Sequence, residues 1–573
     1  MKNSELADIF NQIAKLLKIK GENPFKIRAY ENIVSVLNGL PMDIEMVYRK
    51  GELNNIPGVG KAIAQKIEEY LTTNHLEYYE RLKETIPAGV VELLDILEIG
   101  PKTAGLLYKS LGVDSIDKLE KATREHRIKD LPGMGEKTEE NILRGINAYK
   151  KRHERILLGK ALPIANAVMN HLSKMKEVRE ISIAGSLRRR AETIRDIDIL
   201  VASNQSDVIM KAFTSLPQVT EILSEGLTKS AILTKDNLQI DLRIVEPSSY
   251  GAALQYFTGS QNHNIKIRGL AQKRGLKINE YGVYDVKTNK RIAGEQEAEI
   301  YKMLNLPHIP PELREDRGEI ESGLVNVLPN ILEPSCLKGD LHLHTSWSDG
   351  KNSILEMALE ARKIGYQYIA ITDHSQSLGI AGGLTAEKLL KQVKEIKQLN
   401  SEIKGITILC GVEVDIKSDG SLDFPDEILA ELDIVIAAIH SGFKQKAEQI
   451  THRIIRAMQN KRVHIIAHPT GRLIGYREPY LIDINKMITV AADTGTALEI
   501  NACPERLDLN DVNCRIAKEK GVQIAIGTDA HNAPGLKAIE FGVSVARRGW
   551  LEETDVINTL PLHKLLKRLR NNK

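Results

Sequence analysis

Hydrophobic and polar residues follow three different patterns along the chain, and each pattern predicts a different architecture. Up to about residue 150 the pattern indicates helices interrupted by glycine-rich turns. From about 151 to 315, strand-like runs such as REISIAG, IDILVA and IDLRIV alternate with helical runs. From Gly339 onward, short apolar strands and helical patterns repeat. We therefore predict a multidomain protein that combines α+β and α/β architecture.

The carboxyl-terminal pattern is a strand followed by a helix, repeated several times. Its strand candidates are GDLHLHT, YQYIAITDH, ITILCGVEVD, LDIVIAAIHS, RVHIIAHP, GTALEINAC and VQIAIGTDAH. Such a repeat is typical of a parallel barrel, in which the chemistry lies at the carboxyl ends of the strands. Residue types that bind metals cluster at those ends here.

Composition narrows the class of protein without revealing its chemistry. With 573 residues the chain can form several domains. The net charge of +3 is close to neutral, so nucleic-acid binding has to be argued from local sites. The four cysteines form no CxxC pair, no apolar run reaches membrane-spanning length, and the amino terminus indicates an amphipathic helix rather than a signal peptide. We expect a cytoplasmic monomer with reduced thiols and no membrane contact.

Three aspartates predict a metal site in the middle of the chain. Asp196 and Asp198 lie two residues apart in a strand-like run, so their side chains point to one face, and Asp241 lies in a second such run. Three carboxylates suit two Mg²⁺ ions that contact the attacking and leaving oxygens of a phosphoryl transfer. Gly185 and Ser186 open an arginine-rich stretch suited to a triphosphate. A pair of aspartates alone is more often a solvated surface pair, but this combination predicts a nucleotidyltransferase.

Three glycine-rich turns in the first 150 residues look like helix-hairpin-helix modules. They lie in IPGVGKAIAQKI, LEIGPKTAGLLYKSLG and LPGMGEKTEENI. Glycines allow a tight turn and leave N–H groups free to hold a phosphate without reading a base. A helix cap would explain one turn, whereas three favour binding of the DNA backbone. The candidate DNA contacts are Gly58, Gly60, Gly100, Gly133 and Gly135.

With these motifs in view, the first 315 or so residues resemble a family X DNA polymerase, the group that includes polymerase beta. The run GSLRRRAETIRDIDILV matches that family's triphosphate and metal motif. The resemblance implies that Mg²⁺ is held by the catalytic carboxylates Asp196, Asp198 and Asp241. It also implies that the triphosphate is bound by Gly185, Ser186 and Arg189.

A second run, YGAALQYFTGSQNHNIKIR, matches the family's segment that closes over the incoming nucleotide. The resemblance places Tyr256, Phe257 and Gly259 beside the sugar, and Asn264 and Arg268 near the nascent pair and the template. An aromatic ring next to C2′ would exclude a ribose hydroxyl sterically. Core packing is the alternative interpretation of the two aromatic residues.

The sequence departs from the family pattern at two positions. Arg195 and Arg190 stand where many eukaryotic members have glycine. Arginine keeps its backbone N–H, so a backbone contact to the triphosphate would survive, and the added charge would favour tighter nucleotide binding. This departure leaves the nucleotide affinity and the fidelity open, whereas the predicted phosphoryl-transfer chemistry is unchanged.

The amino-terminal helices resemble the same family's lyase domain. The Schiff-base lysine of that domain matches Lys66 in GKAIAQKIEEY, and Lys26 and Arg28 match further phosphate contacts. The simpler interpretation is that Lys66 only contacts a 5′ phosphate. Lyase chemistry at Lys66 is therefore the less favoured hypothesis.

Histidines and carboxylates at the strand ends of the barrel form a second candidate metal set. Imidazole and carboxylate together suit Mn²⁺, Zn²⁺ or Fe²⁺, and nine such groups could hold two or three ions. His464 is excluded because it lies in mid-strand. The nine candidates are His342, His344, Asp349, His374, Glu413, His440, His468, Asp529 and His531.

The barrel motifs HLHTSWSDG, ITDHS, GVEVD, AHP and GTDAH resemble the PHP (polymerase and histidinol phosphatase) domain. The resemblance implies a distorted (β/α)7 barrel with all nine ligand positions filled, and the imidazole-rich ligand set makes Mn²⁺ the expected ion. It also implies phosphoester hydrolysis, here a 3′–5′ exonuclease, with 3′-phosphatase and abasic-site endonuclease activities as further hypotheses. The expected partners are gapped or primer-template DNA and deoxynucleoside triphosphates.

The patterns and resemblances together divide the chain into six segments. These are a lyase-like helix-hairpin-helix domain (1–85), a fingers-like helical region (86–150), a nucleotidyltransferase palm (151–245), a thumb (246–315), a linker (316–336) and a PHP domain (337–573).

We expect a DNA-directed DNA polymerase that fills short gaps in repair, with an intrinsic exonuclease. Three alternatives remain open: a template-independent nucleotidyltransferase, a barrel that hydrolyses a small-molecule phosphate, and a DNA-end-binding scaffold without activity. Extension that ignores the template base would favour the first. Comparing hydrolysis of a free phosphate monoester with that of a DNA 3′ end would test the second, and the intact ligand sets oppose the third.

Overall fold

The chain divides into two units, Met1–Glu154 and Arg155–Lys573. The structure is a computed structural model that describes residues 2–39, 44–56, 58–96, 99–153 and 155–571. None of the helices in these ranges has the length and apolar character needed to cross a membrane.

The first unit is helical in its described residues. Phe10, Ile13 and Leu17 of its first helix pack into a core with Ile33 and Ile67. Its helices span Lys2–Lys20 (α1), Pro24–Gly39 (α2), Ile44–Arg49 (α3), Lys61–Thr73 (α4), Glu77–Lys83 (α5), Ala88–Glu92 (α6), Pro101–Leu111 (α7), Ile116–Arg124 (α8) and Glu136–His153 (α9).

The second unit begins with the predicted palm, a mixed sheet flanked by helices. The sheet order is β2-β4-β7-β6-β5, and only β4 and β7 are parallel to each other among its neighbouring pairs. The elements are Ile156–Leu157 (β1), Leu158–Leu172 (α10), Glu180–Ile183 (β2), Gly185–Arg188 (α11), Thr193–Ile194 (β3), Asp196–Ala202 (β4), Ser206–Thr214 (α12), Val219–Ser224 (β5), Lys229–Thr234 (β6) and Gln239–Val245 (β7).

The predicted thumb follows as helices around a three-stranded antiparallel sheet. Its elements are Tyr250–Thr258 (α13), Gln261–Lys273 (α14), Leu276–Asn279 (β8), Gly282–Asp285 (β9), Arg291–Ala293 (β10) and Glu297–Met303 (α15). The segment expected as a linker contains the helix Glu319–Leu324 (α16), and Glu319 is buried against His263, with 2.6 Å between Oε1 and Nδ1. The exact domain boundaries stay predictions.

The carboxyl-terminal part forms a parallel sheet of seven strands in sequential order, β11 to β17. A parallel bridge between Leu343 and Ala530 brings the last strand back to the first, so the barrel is nearly closed. Its strands are Gly339–Leu343 (β11), Tyr368–Ile371 (β12), Thr407–Asp415 (β13), Ile434–Ala438 (β14), Ile465–Ile466 (β15), Ala497–Asn501 (β16) and Ile524–Gly527 (β17). The predicted fold class, including the seven-stranded barrel, is confirmed.

Helices lie between most of the barrel strands and complete the chain. They span Ile354–Ile364 (α17), Ala386–Glu402 (α18), Asp426–Leu429 (α19), Ala447–Met458 (α20), Ile484–Thr494 (α21), Asp511–Glu519 (α22), Ile539–Arg548 (α23) and Leu562–Asn571 (α24). His464 connects the last helix to the barrel. Its Nδ1 accepts from the Val435 N–H at 3.0 Å, so its Nε2 carries the proton that it donates to the Leu569 carbonyl at 3.0 Å.

One cluster of buried apolar side chains extends through the palm and the barrel. It contains Leu158 and Ile197 from the palm together with Leu343 and Ile500 from the barrel. Because the palm and the barrel share this closely packed core, they form one compact body rather than two tethered domains.

Gly339 marks a place where the barrel tolerates no side chain. A Cβ at this position would lie 2.1 Å from the Tyr368 carbonyl oxygen, which is backbone and cannot rotate away. We predict that Gly339→Ala lowers the stability of the protein by about 1–3 kcal/mol, measured by thermal or denaturant unfolding.

Gly269→Ala is the matched control, because a Cβ there meets nothing within 4 Å and the position lies inside α14. This change should be neutral or slightly stabilising. Equal stability of the two variants would contradict the close packing of β11 against β12.

Candidate active sites

The three palm carboxylates lie side by side on neighbouring parallel strands. In the register of β4 and β7, Asp198 stands opposite Asp241, and Asp196 stands opposite Gln239. The Gln239 amide donates to Asp241 Oδ2 at 2.8 Å, and the exposed Arg195 guanidinium lies 3.2 Å from Asp196 Oδ2. The sequence-predicted carboxylates are therefore brought together.

The charged form of Asp198 is destabilised by its surroundings. Burial, together with the neighbouring carboxylates of Asp196 and Asp241, raises its pKa to about 7 against the opposing charges of Arg243 and Lys229. Three carboxylates that repel one another on one face are a suitable ligand set for hard divalent cations. The chemistry of these residues therefore fits divalent cations.

Gly185 lies directly against this carboxylate cluster. Its backbone φ is +60°, and a Cβ would lie 2.1 Å from Asp198 Oδ2, so only glycine fits. Ser186 follows in the short helix α11, and Arg190, two residues after that helix, has a φ of +57°. The left-handed backbone at Arg190 is the conformation that glycine adopts most easily, at a position where many eukaryotic members of the resembled family have glycine.

Arg189 and Gly259, both predicted nucleotide contacts, meet in the structure. Arg189 Nη1 donates to the Thr258 carbonyl at 2.6 Å, and a Cβ on Gly259 would lie 3.3 Å from that nitrogen. Arg189 Nε also donates to Glu315 at 3.0 Å. A guanidinium has five N–H donors, so these bonds leave donors for a phosphate.

Phe257 of the aromatic pair lines a small pocket with Asp198, and Asn264 supports the segment that carries the pair. The Tyr256 and Phe257 rings meet edge to face at 5.2 Å, and the Arg243 guanidinium lies 4.4 Å from the Phe257 centroid. Asn264 is buried, donates to the Tyr256 carbonyl at 2.7 Å and accepts from Gln255 at 2.9 Å. Its side chain holds the aromatic segment in place here. Arg268 lies half-buried one turn further along α14.

The glycine turns of the first unit leave open space at the starts of helices. Gly60 and Gly100 precede the first residues of α4 and α7, and Gly58 and Gly133 have positive φ values of 88° and 80°. Within the described residues, a Cβ at Gly60, Gly100, Gly133 or Gly135 would meet nothing within 4 Å. A phosphate backbone can therefore approach these turns closely.

Lys66 lies beside a second lysine on one tyrosine ring. Lys66 Nζ is 5.0 Å and Lys26 Nζ is 5.4 Å from the Tyr78 ring centroid. Burial lowers the pKa of Lys66, and the charge of Lys26 adds to this against the opposing charge of Glu69. Lys26 is also paired with Glu22 at 2.6 Å, and Arg28 is exposed on the same helix.

All nine predicted barrel ligands converge at the carboxyl ends of the strands. Glu413 lies at the centre: its carboxylate oxygens are 2.8 Å from His374 Nδ1, 3.2 Å from His440 Nε2 and 2.9 Å from His468 Nε2. Three groups have ligand atoms close enough to share an ion. They are His344, Asp349, His374 and His531; His342, His344 and Asp529; and His374, Glu413 and His440.

Several buried atoms of this cluster have no hydrogen-bond partner among the described residues. They include His344 Nδ1, His374 Nδ1, Glu413 Oε2 and His468 Nδ1. His374 Nδ1 and Glu413 Oε2 lie 2.8 Å apart but are not aligned for a hydrogen bond, and both residues belong to a group that could share an ion. Burial would raise the pKa of Glu413, yet the surrounding imidazoles, above all His440, hold it well below its usual value. The cluster fits divalent metal ions.

Residues behind the ligands orient them, and the sequence did not single these out. Glu499 accepts from His342 Nδ1 at 2.7 Å and from the His468 N–H at 2.7 Å. Asp415 contacts His440 Nδ1 at 2.7 Å, and Asn501 donates to Asp529 at 3.0 Å. Such contacts fix which imidazole nitrogen faces a metal. Buried acids inside apolar strands, as in GVEVD and ALEIN, were the available signal.

Comparison with protein-family models agrees with this architecture. Residues 1–76 match a helix-hairpin-helix domain, and residues 90–148 match a SAM-like helix-hairpin-helix tandem. Residues 253–315 match the DNA polymerase beta thumb, and residues 340–502 match the PHP domain.

Relatives of two kinds are similar to this chain. The "DNA polymerase/3′-5′ exonuclease PolX" of Bacillus subtilis (strain 168) is 41% identical over 574 residues, which cover 100% of both chains. A "probable phosphatase" of Thermoanaerobacter sp. (strain X514) is 36% identical over 231 residues, 38% of this chain and 89% of that protein. A "probable phosphatase" of Caldanaerobacter subterraneus subsp. tengcongensis is 35% identical over 204 residues, 34% of this chain and 75% of that protein.

The matched regions follow one another in the order that the sequence patterns predicted: two helix-hairpin-helix regions, the thumb and the barrel. The full-length relative covers all of them. The chain belongs to the family X DNA polymerases that carry a carboxyl-terminal PHP domain.

Proposed function

We propose that this protein is a DNA-directed DNA polymerase that fills short gaps during DNA repair and removes nucleotides from 3′ ends with its PHP barrel. The observation that carries the proposal is that one chain contains two chemically different clusters of residues that suit divalent cations. One is formed only by carboxylates, whereas the other is rich in imidazoles. The full-length relative whose name joins a polymerase with a 3′–5′ exonuclease supports the same assignment.

In the palm, each residue has a defined task. Asp196, Asp198 and Asp241 hold the metal ions, and Ser186 and Arg189 bind the triphosphate beside them. Tyr256, Phe257 and Gly259 lie against the sugar, with Asn264 and Arg268 near the nascent pair and the template. The glycine at position 185 lets the protein backbone of the triphosphate motif lie against Asp198, since any side chain there would clash with the carboxylate.

In the barrel, the nine ligands bind the metal ions, and neighbouring side chains orient the ligands. Glu499 and Asp415 fix the ring orientations of His342 and His440. At either site, bound divalent ions would supply charge stabilisation for the attacking and leaving oxygens of a phosphoryl transfer. We expect Mg²⁺ in the palm and Mn²⁺ in the barrel, with Zn²⁺ or Fe²⁺ as alternatives, because oxygen ligands suit the first and imidazoles the others.

The helical first unit would hold the DNA. Its open glycine turns suit phosphates, so we expect gapped or primer-template DNA as the partner, bound with little sequence preference. Deoxynucleoside triphosphates are the second substrate, and we expect the protein to act as a cytoplasmic monomer. Phosphate-monoester hydrolysis, including that of a 3′-phosphate, is a second candidate activity, because two probable phosphatases are similar to the barrel.

Lyase activity at Lys66 is a further candidate because of one observation. A Schiff-base amine has to be unprotonated, and Lys66 has a pKa lowered by burial and by Lys26. The neighbouring Tyr78 ring contacts both lysines, so a 5′ phosphate bound by Lys26 would lie close to the Lys66 amine.

The carboxylate cluster predicts that loss of one charge stabilises the metal-free protein. Because the pKa of Asp198 is raised to about 7, its ionisation opposes folding as the pH rises from the usual aspartate range through 7. Asp198→Asn should therefore melt at a higher temperature than the wild type at pH 8 in a chelator. Added Mg²⁺ should stabilise the wild type more than the variant.

Asp236→Asn is the control for this comparison, because Asp236 lies exposed in a turn. Its melting temperature and its response to Mg²⁺ should match the wild type. A wild-type protein that gains no stability from Mg²⁺ would contradict a metal site at these carboxylates.

The two sites should be separable by mutation. Asp196→Ala should reduce gap filling by about three orders of magnitude and leave 3′-end degradation intact, because it removes a palm ligand only. His440→Ala should have the opposite effect on the two reactions. Both are measured on a primer-template with a one-nucleotide gap, with and without nucleotides.

His452→Ala, an exposed histidine of α20, should leave both activities unchanged. Degradation that survives His440→Ala but disappears with Asp196→Ala would assign both reactions to the palm. Release of phosphate from a free monoester, but not from DNA, would favour the small-molecule alternative.

The Lys66 hypothesis predicts a covalent adduct. Borohydride should trap the protein on a 5′-deoxyribose-phosphate end, and Lys66→Arg should abolish trapping while keeping the charge for phosphate binding. Trapping that persists in Lys66→Arg would move the role to another lysine. No trapping in the wild type would reduce Lys66 to a phosphate contact.

A further inference from the structure

Two arginines of the barrel hold the palm segment that joins the triphosphate motif to the metal strand. Arg548, at the end of α23, donates to the Arg189 carbonyl at 2.7 Å. Arg472 pairs with Glu192 through two parallel bonds of 3.0 and 2.6 Å. The segment 189–192 is thus fixed at both ends by side chains from outside the palm.

Arg548 and the Arg189 side chain also share one carboxylate, that of Glu315. Both guanidinium groups donate to the same oxygen of Glu315, at 2.8 Å from Arg548 and 3.0 Å from Arg189. Arg548 is itself held by Asp511, 2.9 Å away. Arginine is long and flexible, so a fixed carboxylate beside it reduces the orientations that its free donors can adopt.

The second arginine connects the palm to a barrel loop beside the other metal site. Arg472 Nε donates to the Arg506 carbonyl at 2.8 Å. The Arg506 side chain lies 3.5 Å from the ligand Asp529. A Cβ on Gly159 of α10 would lie 2.6 Å from Pro504, so palm and loop are in direct contact here.

These contacts are too buried to be incidental surface pairs. The side chains of Arg548 and Arg472 are only 8% and 12% exposed. Burial would raise the pKa of Glu315, but Arg548 and Arg189 hold it below its usual value, so it remains charged. Removing one partner of such a pair leaves an uncompensated charge in a poorly solvated place.

We propose that Arg548 and Arg472 are positioning residues of the polymerase reaction, through which the barrel fixes Arg189 and the segment 189–192 for triphosphate binding. This rests on the proposed function, in which Arg189 binds the triphosphate. The exonuclease barrel then has a second role as the support of the nucleotide site. Neither arginine contacts the substrate, and both act through palm residues.

The test compares Arg548→Met with Arg547→Met in the full-length protein. Arg547 is the adjacent residue of α23 and makes an equivalent ion pair, with Glu312 at 2.8 Å, but it does not contact the segment 189–192. Arg548→Met should raise the KM for the incoming nucleotide about tenfold and change kcat by less than about threefold. Arg547→Met should leave the KM unchanged, and the 3′-end degradation rate should be that of the wild type in both.

Glu192→Ala tests the second contact from the palm side, because Arg472 keeps its bonds to the barrel loop. It should raise the same KM, while Glu192→Gln, which can still accept hydrogen bonds, should have a smaller effect. If Arg548→Met does not fold, the KM for the incoming nucleotide is measured for Arg548→Lys instead. This variant keeps the charge without the planar fork, so a smaller increase in KM is expected and an unchanged KM overturns the role.

An unchanged KM in Arg548→Met and Glu192→Ala would overturn the proposal, as would an equal increase in Arg547→Met, which would indicate general loosening of the junction. Asp198→Ala separates this outcome from failure of the proposed function. If Asp198→Ala still adds nucleotides, the palm assignment itself is wrong. If it is inactive while both variants keep the wild-type KM, only the positioning role is wrong.

Discussion

The structure depends on how it compensates negative charges that are buried next to one another. In the palm, Asp198 is repelled by Asp196 and Asp241, and no imidazole is among the three groups. In the barrel, Glu413 lies among histidines that stabilise its charge even without an ion. The same problem therefore has two solutions. In the palm, Arg243 and Lys229 compensate part of this charge and bound cations would compensate the rest, whereas the barrel carries much of its compensation in its own side chains, which also suits it to softer metals.

Charge compensation also joins the palm to the thumb, whose apolar core is separate from the one that palm and barrel share. Arg188 pairs with Glu297 of the thumb through two bonds of 2.7 Å, and the fully buried Arg314 reaches the same carboxylate at 2.6 Å. Burial would raise the pKa of Glu297, but the adjacent guanidinium groups, led by Arg314, hold it far below its usual value. Since breaking such a pair is costly, palm and thumb are fixed to each other where the nucleotide motif begins.

Much of this arrangement follows from short-range sequence patterns, and the rest depends on contacts between distant residues. Short apolar runs separated by helical patterns predicted the seven barrel strands, and the spacing of Asp196 and Asp198 predicted a shared face. Periodicity could not reveal that Glu319, in a charged stretch expected to be a linker, is buried against His263, because the partners are 56 residues apart. For the same reason the pairing of Glu192 with Arg472, 280 residues away, was not predictable from one sequence.

The three consecutive arginines at 188–190 show that an arginine-rich composition does not define the role of each arginine. The sequence suggested that an arginine-rich stretch serves the triphosphate, yet Arg188 is committed to Glu297 and Arg189 shares Glu315 with Arg548. A guanidinium already bonded to a carboxylate has less charge available to an anion but a far better defined direction. The palm segment after Gly185 is therefore better described as a rigid frame than as a flexible basic loop. Because thumb and barrel residues both contribute to that frame, the geometry of the nucleotide site is a property of the whole second unit.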